Sequence, residues 1–154
     1  MAFRLVSTAF ENGERIPTRH TADGGDVSPP LEWHGEPAGT QSFALICDDP
    51  DAPRGTWTHW LAFNLSPSLH SLTEGIPVHA TLADGASQGT TDFGTTGYGG
   101  PSPPKGPAHR YYFRLYAVDQ ILPVKAGASR KQLLGALEGH VLAEAELMGR
   151  YGRP

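Results

Sequence analysis

Glycine and proline break up the apolar runs of this chain throughout its first 125 residues, and that punctuation sets the class of fold open to it. There are 19 glycines and 14 prolines among 154 residues. Proline removes a helix donor and glycine weakens a helix interior, so long helices have no place in this region. What stands between the interruptions is short and rich in aromatic and β-branched side chains. Residues 3–7, 42–47, 56–65 and 109–118 read as strands. Residues 11–14 read as a turn, and Ser28-Pro29-Pro30 opens a further extended piece that residues 35–39 close. A hydrophobic share of 38% with 9% aromatic residues supplies a core, which excludes a disordered chain as firmly as the punctuation excludes a helical bundle.

Helix is expected only near the end. Ser129 with Gln132 three residues on has the spacing of a capping box. Leu134, Leu137, Val141, Ala145 and Met148 then follow helical spacing up to Gly149, with Gly139 as a point of weakness or a break. On this reading His140 and Glu144 are a surface pair one helical turn apart. Residues 82–106 form an irregular glycine-rich stretch, and a structureless loop of that length in a compact domain is usually either functional or misassigned. No repeat or linker divides the chain. The expectation is one domain, residues 1–154, mainly antiparallel β with a few short helices, one of them C-terminal.

A net charge of −4 and a pI near 5.9 argue against a general binder of nucleic acid or anionic membranes. Cys47, the single cysteine, cannot form an internal disulfide and reads as a small core residue. The N-terminal residues show no signal-peptide pattern and no stretch approaches a membrane span, so a cytoplasmic protein without stable membrane insertion is expected.

Strand phase picks out polar residues. Strict alternation over residues 56–65 places Trp57, His59, Leu61, Phe63 and Leu65 on one face, with Trp60 on the other. Over residues 109–118 it places His109, Tyr111, Phe113, Leu115 and Ala117 together. Phe43, Leu45 and Cys47 lead in the same way to Asp49. Two histidines and an aspartate thus stand at the ends of apolar strand faces, where burial is costly unless they are paired. They point to a small polar pocket at one end of a sandwich. Imidazolium N–H groups and Tyr111 suit an anion such as phosphate. The same three residues also match a two-histidine, one-carboxylate metal site. Residues 97–106 make a plausible wall but not a Walker loop, since Pro101, Pro103 and Pro104 lack amide donors; Lys105 is as well explained by a rigid turn. Gly85-Ala86-Ser87-Gln88-Gly89 matches the nucleophile-elbow letters without the helix that should follow.

Asp49-Pro50-Asp51-Ala52-Pro53, Gly55-Thr56-Trp57-Thr58-His59-Trp60, residues 97–106 and His109-Arg110-Tyr111 resemble, in order, the phosphatidylethanolamine-binding protein family, especially its bacterial branch, often labelled Raf kinase inhibitor-like. Residues 28–33 and 139–147 extend the resemblance over nearly the whole chain. It implies an antiparallel β-sandwich and a pocket for phosphate-like anions built from Asp49, Trp57, His59, Gly100, His109 and Tyr111. In it His59 and His109 would donate to the anion, Asp49 would orient a histidine, Trp57 would form a wall and Gly100 would permit close backbone approach. Arg110 would face away and brace the Asp-Pro loop through Asp51. Where bacterial relatives often carry cysteine this chain has Ser102, so no thiol role is expected there. No cofactor or resident metal is implied. A homodimer and a regulatory protein partner are. Two rivals to a binding module stay open: acid–base catalysis by Asp49, His59, His109 and Tyr111, such as dehydration or ring closure of a small metabolite, and a purely structural interaction protein.

Overall fold

The computed structural model describes residues 2–154. Its elements in chain order are β1 (Arg4–Val6), β2 (Leu31–His34), β3 (Ser42–Asp49), β4 (Trp57–Leu65), β5 (Ser71–Leu72), β6 (Ser87–Gln88), β7 (His109–Val118), α1 (Arg130–Leu137) and β8 (Val141–Tyr151), with 3-10 turns at Thr18–His20 and Ala83–Gly85. The strands form two antiparallel sheets, ordered β1-β2-β5 and β6-β4-β3-β7-β8. This is the mainly β sandwich that the turn-punctuated sequence implies.

The larger sheet is covered on both faces. Phe43, Leu45 and Cys47 of β3, Phe113 and Leu115 of β7, and Trp60 of β4 pack against Leu5, Leu31 and Trp33 of the smaller sheet. On the opposite face Ala44, Ile46, Leu61 and Phe63 lie beneath Leu133 and Leu137 of α1. Every residue of β3 is therefore buried, which is why its residues 43–47 form an unbroken apolar run rather than alternating with polar ones. Cys47 lies in the core between the sheets, where burial pushes its thiol well above the ordinary pKa.

Strict alternation fails in β4. Trp57 lies opposite Asp49 and Thr58 opposite Asp48, but Trp60 lies opposite Cys47, so His59 is an extra residue with no partner on β3. Such a bulge shifts the phase by one. Leu61 and Phe63 consequently turn to the helix-covered face, not the face His59 shares with Asp49. A second irregularity between Phe43 and Leu45, near Asn64 at φ +54°, returns Leu65 to the inter-sheet core. Trp57 and Trp60 fall on the same side of the sheet, contrary to the alternation. They still form no common platform, because Trp57 meets Phe93 and Trp60 meets Tyr98.

The C-terminal region corrects the helical reading. The Ser129 capping box forms, with Gln132 N donating to Ser129 Oγ at 3.2 Å and Ser129 N donating to Gln132 Oε1 at 2.9 Å. The helix then stops at Leu137 after eight residues. Gly139, at φ +81°, turns the chain, and residues from Val141 onward pair along the whole of β7. In β8 the buried positions are Ala145, Leu147, Gly149 and Tyr151, a period of two. The ladder and the core contact outweigh a coincidental helical spacing. His140 and Glu144 are accordingly not a helical pair: His140 Nδ1 donates to Asp119 at 2.8 Å, and Glu144 stands opposite Tyr116. Among the described residues no helix is long and apolar enough to cross a membrane.

Candidate functional site

The adjacent ends of β3, β4 and β7 converge on one cavity of about 200 Å³. Asp49, Trp57, His59, His109 and Tyr111 line it, together with Ala52, Pro53, Phe93, Ser102, Pro103 and Pro104. Five of the six binding residues expected from sequence are thus brought together. Its size is below the roughly 300–1,000 Å³ of sites for drug-sized ligands and suits a head group or fragment.

Local chemistry fixes the frame. Asp51 N donates to Asp49 Oδ1 at 2.8 Å, an Asx-type turn that the Asp-Pro-Asp sequence favours. Asp51 in turn accepts from Arg110 N at 2.8 Å, Nε at 3.0 Å and Nη2 at 2.8 Å, which ties this loop to β7. The Arg110 guanidinium holds the Asp51 carboxyl down to about 2. Arg110 itself does not line the cavity.

Each histidine is oriented through its Nδ1. His109 Nδ1 lies 2.6 Å from Asp49 Oδ2, and His59 Nδ1 lies 2.6 Å from the carbonyl oxygen of Gly99. Gly99 N also donates to the His59 carbonyl at 2.9 Å, so the 98–100 loop grips both ring and backbone. A carbonyl can only accept, so Nδ1 of His59 carries a proton. Burial, the largest influence on the ring, pushes the His59 pKa below its ordinary value of 6.5. In a neutral ring so held, the lone pair would be on Nε2.

Tyr111 lies between the two rings, its centroid 5.2 Å from His59 and 6.4 Å from His109. The residue is 1% exposed, and its hydroxyl has no hydrogen-bond partner. Burial first, then the Asp49 charge, pushes its pKa far above the ordinary value of 10, so the hydroxyl keeps its proton. Trp57 and Phe93 meet edge to face at 5.5 Å and form the more exposed aromatic rim.

Gly100 is the expected site residue that does not line the cavity. Its N–H donates to Asp26 Oδ1 at 2.7 Å, and a Cβ there would stand 2.5 Å from the His20 carbonyl oxygen. The close approach seen at Gly100 is to the 20–26 segment behind the site. Lys105 lies outside the lining as well, with its backbone bridged to Arg153. Ser102, Pro103 and Pro104 belong to the 97–106 stretch expected to form a wall. Sequence reasoning does not single out Ala52, Pro53 or Phe93 as lining residues, although Phe93 lies within the irregular 82–106 stretch. Ser87, of the elbow-like letters, sits in β6 paired with Phe63 and not at a strand-to-helix turn. Among the described residues no three His, Cys, Asp or Glu side chains are gathered as metal ligands.

The phosphatidylethanolamine-binding protein family model matches residues 6–152. The "UPF0098 protein" of Methanothermobacter thermautotrophicus is 53% identical over 97% of this chain and 98% of its own length. That of Chlamydia muridarum is 44% identical over 96% and 97%. Among solved structures, Escherichia coli YbcL, described as a member of the mammalian family, superposes with a TM-score of 0.93 at 34% identity over 100% of both chains. Chlamydia trachomatis CT736, described as a homologue of phosphatidylethanolamine-binding protein, gives 0.90 at 40% identity over 99% of both. Matched in sequence over almost its full length and in fold over all of it, the chain belongs to the phosphatidylethanolamine-binding protein family.

Proposed function

We propose that this protein is a binding module for a small phosphorylated or otherwise anionic ligand, held in the cavity between Asp49, His59, His109 and Tyr111. The observation that carries the reading is the Tyr111 hydroxyl, a buried and protonated donor without a partner inside a cavity. Buried polar groups are almost always satisfied, and a ligand oxygen seated between the rings would satisfy this one. The aromatic rim of Trp57 and Phe93 and the prolines 53, 103 and 104 suit an apolar substituent outside the polar floor. The test is a histidine-ring NMR titration with inorganic phosphate and phosphoethanolamine, in EDTA. Saturable shifts of both His59 and His109 are expected. Unmoved rings at millimolar ligand would refute the reading.

One contact favours a second reading. Asp49 on Nδ1 of His109, a residue lining the cavity, is the arrangement that orients a general base and leaves Nε2 free for a substrate. An enzyme for dehydration or ring closure would show a pH-dependent rate that His109→Ala abolishes; binding without turnover across a metabolite panel counts against it. The family also brings the proposals of a homodimer, which sedimentation velocity checks, and of a regulatory protein partner.

A further inference from the structure

We propose that the cleft where α1 begins against the start of β4 binds a free α-amino acid with an aliphatic side chain, its carboxylate on the first turn of the helix and its ammonium on Asp92. The cleft has a volume of about 460 Å³ and shares no lining residue with the His59 cavity. Its carboxylate end rests on two independent features. The capping box uses Gln132 N, and Leu133 N donates to the Ser129 carbonyl. The N–H groups of Arg130 and Lys131 are thereby left without an acceptor among the described residues, at the positive end of the helix. Thr58 is the second feature. It is 2% exposed and lines the cleft, and its hydroxyl has no hydrogen-bond partner among the described residues. Buried hydroxyls are rarely left so, and a carboxylate oxygen would satisfy this one. Arg130 fixes the frame, since its Nη2 donates to Asp48 Oδ2 at 3.0 Å and fastens the start of α1 to the sheet.

Asp92 makes a simple anion a poor occupant. Its carboxylate lines the same cleft and is held in place, with Oδ2 accepting from Thr58 N at 2.6 Å and Asp92 N donating to the Thr58 carbonyl at 3.1 Å. Oδ1 keeps its acceptor capacity. Lys131 also lines the cleft, yet among the described residues neither it nor Asp92 enters an ion pair. A ligand with negative charge alone would be repelled by Asp92, and one with positive charge alone would leave the helix N–H groups and Thr58 unsatisfied. A carboxylate and an ammonium on one carbon answer both ends at once. Leu134 stands one turn along α1 at 41% exposure and offers the apolar contact for an aliphatic side chain.

The experiment is an amide NMR titration of the full-length protein with leucine, with 4-methylpentanoate, which lacks the ammonium, and with isopentylamine, which lacks the carboxylate. Leucine should shift the Arg130, Lys131 and Thr58 N–H signals saturably with a Kd on the order of 1 mM. Each analogue should bind at least about fivefold more weakly, the effect of one charge-assisted contact in a partly exposed site. Thr58→Val keeps the shape and should weaken leucine about five- to tenfold without lowering the urea midpoint, because the hydroxyl bonds to nothing in the free protein. Asp92→Asn keeps an oxygen for Thr58 N and drops the charge, so the preference for leucine over 4-methylpentanoate should vanish. Equal binding of all three probes, a preference that survives Asp92→Asn, shifts confined to the His59 cavity, or no response at about ten times the expected Kd overturns the inference. None of these outcomes bears on anion binding between His59 and His109, which the histidine-ring titration decides separately.

Discussion

Replacing Tyr111 by phenylalanine should stabilise the fold and weaken the ligand at the same time. The ring is buried at 1% exposure between His59 and His109, and packing accounts for all it does in the free protein, since its hydroxyl bonds to nothing. An unsatisfied buried hydroxyl costs about 1–3 kcal/mol of desolvation. Deleting it from an otherwise isosteric ring removes that cost, and the lower end, about 1 kcal/mol, is the appropriate figure where a cavity lies beside the group. For a chain of this length 1 kcal/mol corresponds to a rise in Tm of about 2–4 °C. In the complex the same hydroxyl would donate to a charged oxygen, a bond worth about 1.5–3 kcal/mol, so affinity for phosphate should fall roughly ten- to a hundredfold. Scanning calorimetry measures the first change and titration calorimetry the second. A Tyr111→Phe variant that melts lower than the parent and binds phosphate unchanged would refute the reasoning, because the hydroxyl would then be part of the fold and not of the site.

Substitutions at three other positions separate site from scaffold. His59 has a folded-state pKa below its unfolded value, so its neutral form supports stability fully above about pH 6.5 and that support is lost as pH falls through the unfolded and then the folded value; His59→Gln should flatten this part of a urea-midpoint profile while leaving the carboxylate-driven fall at lower pH. Asp26 holds Gly100 N from a left-handed backbone at φ +56°. Asp26→Asn keeps both the acceptor and tolerance for that backbone, Asp26→Gly keeps only the second, and Asp26→Ala keeps neither and adds about 1–2 kcal/mol of strain. At about pH 8, with the ring neutral, the His59 signal should move in the Gly and Ala variants and hold in Asn. A shift common to all three would mean that the charge, not the hydrogen bond, is what reaches the ring. Asp48 is 1% exposed and pairs with Arg114 at 3.3 Å and Arg130 at 3.0 Å, anchoring α1 to the sheet. Both arginines retain access to water, so Asp48→Ala should cost about 1–3 kcal/mol in chemical denaturation, less than the 3–5 expected when a fully buried charge is stranded.

The ends of the strands told more than their middles. Asp49, His109 and Tyr111 are recoverable from alternation because β3 and β7 stay in register over the seven consecutive pairs that lead up to them, ending at Asp48 and Tyr112, and a period-two pattern survives wherever pairing is regular. The turn residues of Asp49-Pro50-Asp51 are equally readable, since an Asx turn and an Arg110 partner are local chemistry. Where pairing slips, the letters mislead. Alternation puts His59 on the cavity side of β4 for an incomplete reason: it groups His59 with Leu61 and Phe63, and only the bulge lets His59 face the cavity while those two turn to α1. β8 misleads in the opposite way. Gly149 looks like a helix stop, yet it occupies an inward strand position where a Cβ would stand 2.5 Å from Ile16 Cγ1 and 2.8 Å from Phe10 Cε2. The missing side chain makes room for residues more than a hundred positions away, so no local window can show the reason for it. The same holds for Gly100, whose neighbours His20 and Asp26 lie far back in sequence, and for Phe93, which reaches the site because the long loop brings it to Trp57 and His59. The bulge at His59 joins these cases to the chemistry. Pleating alone would turn His59 and Trp60 to opposite faces, but the inserted residue lets the imidazole sit in the cavity while the indole, one position on, fills the inter-sheet core. A polar site at the edge of an apolar sandwich needs such a break in the pleat, which is why strict periodicity fails close to where the candidate chemistry begins.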